Sequence, residues 1–125
     1  MLVLIIEDND KNLRLVRDVL EYGGLETMEA RTAEEGLVLA RERPPDVILL
    51  DIQLPGIDGY AALEQLRGDG RTRAIPVAAV TAFAMDSDRQ RLADAGFDAH
   101  FAKPIDVGRL ADDVRALSLG TYQPS

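Results

Sequence analysis

The chain has 125 residues, enough for one domain with its own hydrophobic core and too few for two. It is 46% hydrophobic and 29% charged, an ordinary globular balance, and it has no cysteine, which excludes disulfides and thiolate metal sites and fits a reducing cytoplasm. A formal charge of −8 disfavours nucleic acid and anionic lipid as partners, and the apolar run Leu2–Ile6 is too short to span a membrane and lacks a signal-peptide cleavage site. A soluble, cytoplasmic protein with neither nucleic-acid nor membrane partner is therefore expected.

In chain order, Leu2-Val3-Leu4-Ile5-Ile6 is a continuous apolar run followed by Glu7 and Asp8. Such runs read as strands buried on both faces. Leu13, Val16 and Leu20 then recur at helical spacing, and Leu25–Ala30 has the mixed character of an edge strand. Thr32-Ala33-Glu34-Glu35 has capping-box order, with Leu37 and Ala40 behind it. Val47-Ile48-Leu49-Leu50 is the second continuous run, followed by Asp51. Tyr60, Leu63 and Leu66 form a third helical stripe, capped by Asp58 and ended by Gly68 and Gly70. Val77-Ala78-Ala79-Val80 is the third run, followed by Thr81. Arg89–Ala95 predicts a fourth helix ended by Gly96, and Ala99–Ala102 a second edge strand leading into Lys103-Pro104. Val107, Leu110, Val114 and Leu117 predict a fifth helix capped by Asp106, so that residues 1–118 form the domain and 119–125 a flexible C-terminal tail.

Five strands alternating with five helices predict an α/β fold, a doubly wound, flavodoxin-like parallel sheet with helices on both faces. Right-handed crossovers, with the most apolar runs at the centre, favour strand order 2-1-3-4-5. Open sheets of this kind bind ligands beyond the carboxyl ends of the strands, where the strand order reverses. Here that point lies between the first and third strands. It collects Glu7, Asp8 and Asp51 around one crevice, with Thr81 and Lys103 facing it. Two carboxylates 4 Å apart repel by about 4 kcal/mol at an effective dielectric near 20. Lys103 offsets part of this, and an all-oxygen cluster suits a hard cation such as Mg²⁺ better than zinc. Taken singly the residues have plainer readings: a solvated loop or cap for Glu7, Asp8 and Asp10, a turn for Asp51, a cap for Thr81, a solvent-facing Lys103. Their joint placement at successive strand ends points to one site.

That constellation resembles response-regulator receiver domains, over Leu2 to about Leu117. Asp51-Ile-Gln-Leu-Pro-Gly-Ile-Asp-Gly is similar to the family's phosphoacceptor loop, including Leu54, Pro55, Gly56 and Gly59. Thr81-Ala-Phe-Ala-Met85 and the Ala-Lys-Pro-Ile stretch at 102–105 resemble receivers of stand-alone regulators and hybrid kinases. The resemblance implies that Asp51 takes a phosphoryl group from a histidine kinase or histidine phosphotransfer protein, forming an acyl phosphate. It implies Mg²⁺, or Mn²⁺, held by Asp8, Asp51 and the Gln53 backbone carbonyl, with Glu7 acting through a water. It also implies that Lys103 and Thr81 contact phosphoryl oxygens, that the Lys103–Pro104 bond is cis, and that Pro55 and Gly59 shape the loop. Thr81 would act as a switch, changing a partner-binding face made by helix 4, strand 5 and helix 5. Such a domain catalyses only its own phosphorylation and dephosphorylation.

Two departures stand out. Three residues before the lysine the family carries an aromatic switch residue, and here His100 stands there, either a surface imidazole or a switch that also senses its own protonation. Glu7 replaces a usual Asp. Gln53 and Phe83 border the expected acyl phosphate, and Phe83 predicts a long-lived one. A metal-dependent phosphohydrolase with an aspartyl nucleophile is the alternative, but it wants an acid where Gln53 stands. A nucleotide or flavin carrier would need a Gly/Ser/Thr-rich loop in place of Glu7-Asp8-Asn9-Asp10. A scaffold without chemistry would not need the full set of site residues.

Overall fold

The strands are β1 (Leu2–Ile6), β2 (Glu26–Ala30), β3 (Val47–Asp51), β4 (Val77–Thr81) and β5 (Ala99–Ala102). Between them lie α1 (Asp10–Tyr22), α2 (Ala33–Glu42), α3 (Gly59–Arg67) and α4 (Asp86–Ala95), and α5 (Leu110–Leu119) follows the last strand. This computed structural model describes residues 1–54, 56–82 and 85–123. All strand pairs are parallel and the order is β2-β1-β3-β4-β5, the predicted arrangement.

The three continuous apolar runs are the three central strands, and each is buried along its whole length. Alternate residues of these strands feed two separate cores. Leu4, Ile6, Ile48, Leu50, Val77 and Ala79 pack under α2, α3 and α4. Val3, Ile5, Val47, Leu49, Ala78 and Val80 pack under α1 and α5. Runs apolar at every position are thus what a sheet covered on both faces requires. No described helix is long and apolar enough to cross a membrane.

The helix ends follow local chemistry. Asn9 caps α1 by accepting from the Asn12 amide at 3.0 Å, Thr32 caps α2 from Glu35 at 3.1 Å, and Asp58 caps α3 from Ala61 at 2.8 Å. The fifth helix departs from expectation. It starts at Leu110, and Val107 is 49% exposed. Asp106 is spent on a turn: its carboxylate accepts from the Gly108 amide at 3.0 Å, and its carbonyl accepts from Arg109 and Leu110 at 3.3 and 3.2 Å. A side chain folded into that turn cannot also cap the helix. The helix runs on to Leu119, and Tyr122 beyond it packs against the core under α5.

Candidate functional site

The carboxyl ends of β1, β3, β4 and β5 converge on one crevice. Asp51 and Thr81 are the last residues of their strands, both 2% exposed, and Glu7, 4% exposed, directly follows β1. The sheet itself holds these positions. The Glu7 amide donates to the Ala30 carbonyl at 2.9 Å, and the Lys103 amide donates to the Thr81 carbonyl at 2.9 Å, carrying the ladder one step beyond each strand. The Lys103–Pro104 peptide is cis.

Asp51 is held at both oxygens. The Lys103 ammonium donates to Oδ2 at 2.9 Å, and the Gln53 amide donates to Oδ1 at 2.9 Å. Lys103 also lies 3.4 Å from Glu7 Oε2, so one cation serves two buried carboxylates. Burial alone would lower the lysine pKa, but the hydrogen bonds and charges of Asp51 and Glu7 more than offset this and raise it. Glu7 moves in the direction of neutrality. Burial, then its hydrogen bond to Asp51 and the charge of Asp51, push its pKa up to about 7, against the opposing pull of the Asn9 amide and Lys103.

Exposed Asp8 completes the cluster: carboxylate oxygens of Glu7, Asp8 and Asp51 lie within 4.8 Å of one another. Three oxygen donors in that space, with two carboxylates sharing one ammonium, form a donor set that fits a hard divalent cation. The expected site residues Glu7, Asp8, Asp51, Thr81 and Lys103 are therefore brought together. Pro55 and Phe83 lie outside the described residues. Gly59 sits where a Cβ would approach Ile52 Cδ1 to 2.7 Å and Ile52 Cα to 3.0 Å, so the loop after Asp51 closes onto α3 only with glycine there. His100 is half-buried on β5, where burial and then the charge of Arg89 lower its pKa.

Two contacts were not read from the sequence. The Asn9 amide donates to Glu7 Oε1 at 3.2 Å, so the residue that caps α1 also steadies the crevice. The Gln53 carboxamide oxygen accepts from the Ala82 amide at 3.4 Å, bridging the loops after β3 and β4 across the mouth of the crevice. The first uses a backbone amide, which the identity of the residue at position 9 does not reveal. The second has no sequence signature, because it joins residues 29 apart.

Comparison with known proteins agrees with this geometry. Residues 3–115 match the family described as response regulator receiver domain. The chain is 46% identical over 114 residues to the polar-differentiation response regulator DivK of Brucella ovis, covering 91% of this chain and 93% of that protein. The receiver domain of a Francisella response regulator superposes with a TM-score of 0.88 at 27% identity, covering 96% of this chain and 98% of that one. The receiver domain of a Pseudomonas aeruginosa sensor histidine kinase, solved with a magnesium ion coordinated in its active-site cleft, superposes with a TM-score of 0.85 at 28% identity, covering 94% and 96%.

Proposed function

The chain belongs to the response regulator receiver family of two-component signalling, and from that premise we propose that Asp51 is its phosphoacceptor and that phosphorylation switches its binding to a protein partner. The observation that carries the reading is the Asp51 carboxylate, buried at a strand end, fixed by Lys103 at 2.9 Å and flanked by Glu7 and Asp8. A carboxylate sunk among like charges is poorly placed for stability and well placed for nucleophilic attack once those charges are balanced.

Asp8, Asp51 and the Gln53 carbonyl would hold Mg²⁺, or Mn²⁺, with Glu7 acting through a water; the magnesium in the Pseudomonas relative supports this choice. When bound, such an ion neutralises charge between an anionic nucleophile and an anionic phosphoryl group. Asp51 then forms an O–P bond while the P–N bond to the donor imidazole breaks, and the electron pair leaves on the imidazole nitrogen. The Gln53 amide keeps the carboxylate from rotating during attack. Lys103 would follow the charge from Asp51 to a phosphoryl oxygen, and the Thr81 hydroxyl would donate to another.

Because β5 is paired to β4 beside Thr81, movement of Thr81 and Lys103 would be felt along Ala99–Ala102. His100, half-buried on that strand, is the proposed second member of the switch. The donor would be a histidine kinase or histidine phosphotransfer protein, and the output a protein bound to the α4–β5–α5 face. The chain would act only on its own phosphate, and the phosphohydrolase alternative draws no support from Gln53 at the position where it wants an acid.

Incubation with acetyl phosphate and Mg²⁺, followed by intact-protein mass spectrometry, tests this directly. One PO₃ adduct is expected, absent with EDTA and absent in Asp51→Asn. An adduct that persists in Asp51→Asn would place the acceptor elsewhere.

A further inference from the structure

The chain beyond α5 reverses sharply. Gly120 takes φ +76°, in the left-handed region that favours glycine, and a Cβ there would meet nothing within 4 Å. Conformation, not crowding, calls for glycine at this position. The Thr121 amide donates to the Ala116 carbonyl at 2.8 Å and the Gly120 amide to Leu117 at 3.2 Å, the paired bonds of a Schellman reversal. This turn carries Tyr122 back over β5, the outer strand of the sheet. Its half-buried ring stands edge-on to Phe101, with centroids 6.0 Å apart and planes at 90°.

Tyr122 thereby walls two cavities that His100 also lines. One, of about 310 Å³, lies along β5 and α5 with Arg89, Pro104 and Leu110 in its walls. The other, of about 430 Å³, lies against α4 with Asp86, Arg89 and Asp98. The seat of the ring is also close to the chemistry. Phe101 pairs with Val80, the next residue Ala102 pairs with Thr81, and the Lys103 amide bonds to the Thr81 carbonyl.

We propose that Tyr122 is a built-in cover for the α4–β5–α5 face: it is docked on Phe101 in the unphosphorylated chain and is released on phosphorylation, which frees that seat for a partner segment bringing its own aromatic side chain. This rests on the reading of that face as the output surface. An edge-on ring pair is a weak contact, so the cover is removable. A pull on Thr81 and Lys103 toward a phosphoryl group moves the strand that carries Phe101. By reciprocity, whatever loosens Tyr122 must favour phosphoryl binding.

The chain has a single histidine, so the ultraviolet absorbance of the N-carbethoxyimidazole formed by diethyl pyrocarbonate, a band that acylated amines and phenols lack, reports on His100 alone. The full chain, its Tyr122→Ala variant and its Tyr122→Phe variant are compared with and without Mg²⁺ and beryllofluoride, a phosphoryl mimic. Without the mimic, Tyr122→Ala should label about fivefold faster than the native chain, and Tyr122→Phe at the native rate. With it, the native rate should rise to that of Tyr122→Ala, and Tyr122→Ala should bind the mimic more tightly. Equal labelling of the native chain and Tyr122→Ala without the mimic would show that the ring covers nothing. A native rate unmoved by the mimic, while the Asp51 and Thr81 amide resonances shift, would overturn displacement. Absence of any shift in those resonances would instead sink the phosphoacceptor reading, and displacement with it.

Discussion

The crevice at the ends of β1 and β3 and the outer edge of β5 are built in opposite ways. In the crevice the two buried carboxylates are each fixed twice, Asp51 by Lys103 and Gln53 and Glu7 by Lys103 and Asn9. At the edge, His100, Phe101 and Tyr122 are half-buried, and the ring pair is a single contact. Transfer chemistry gains from groups that do not have to reorganise. A signalling surface needs the reverse, a region whose contacts are weak enough to be exchanged. The crevice stores unfavourable charge; the edge stores little of anything.

The largest effect expected from this contrast comes from removing the shared cation. Lys103→Ala leaves two buried carboxylates without a counter-charge, each held only by a backbone amide, and should destabilise the metal-free protein by about 3 kcal/mol in urea denaturation. Tyr122→Ala should cost about 1 kcal/mol in the same measurement. If the two losses came out equal, the edge would be as firmly built as the crevice and the comparison would fail. Gly59→Ala comes next. The methyl must displace Ile52, whose Cδ1 and Cα would lie 2.7 and 3.0 Å away, and overpacking of this kind costs about 1–3 kcal/mol. Unchanged stability there would show that the loop after Asp51 yields, contrary to a rigid crevice. Smaller, and of opposite sign, is Asp8→Asn. It removes an exposed like charge without unpairing Lys103, so the metal-free melting temperature should rise by a few degrees while the rise on adding Mg²⁺ shrinks. A fall in that temperature would mean that the acidic cluster carries no strain.

The same contrast decides what could be read in the sequence. The crevice was legible because the apolar runs Leu2–Ile6, 47–50 and 77–80 are each followed directly by a polar residue of the crevice, Glu7, Asp51 and Thr81. Burial on both faces leaves few alternatives to a central parallel strand. Once the strand order follows, the meeting of Glu7, Asp51 and Lys103 follows too, although Lys103 and Asp51 are 52 residues apart. The edge was less legible. Val107 satisfies helical spacing with Leu110, yet Asp106 turns the chain there, and spacing alone cannot separate a turn from a first helical turn. The docking of Tyr122 depends on the left-handed Gly120 and on Phe101 across the gap, a tertiary contact with no periodic signature.

The finest distinction between the two regions is their response to pH, where they should oppose each other. Glu7 keeps its proton to about pH 7 when folded but loses it near 4.5 when unfolded, so the folded state binds more protons across that interval. Its contribution to stability is therefore fully present at low pH and is lost as pH rises toward 7. The folded pKa of His100 lies below its ordinary 6.5, so its contribution is present above that value and is lost as pH falls through it. Between about pH 5 and 7, where most other groups do not titrate, the metal-free His100→Gln variant should lose stability with rising pH. The native chain saturated with Mg²⁺, which favours an ionised Glu7, should gain it. Urea midpoints measured across that range in both samples separate the regions. A metal-free His100→Gln curve that climbed with pH would mean that Glu7 is already ionised in the crevice, and that Lys103 alone suffices to balance all three carboxylates.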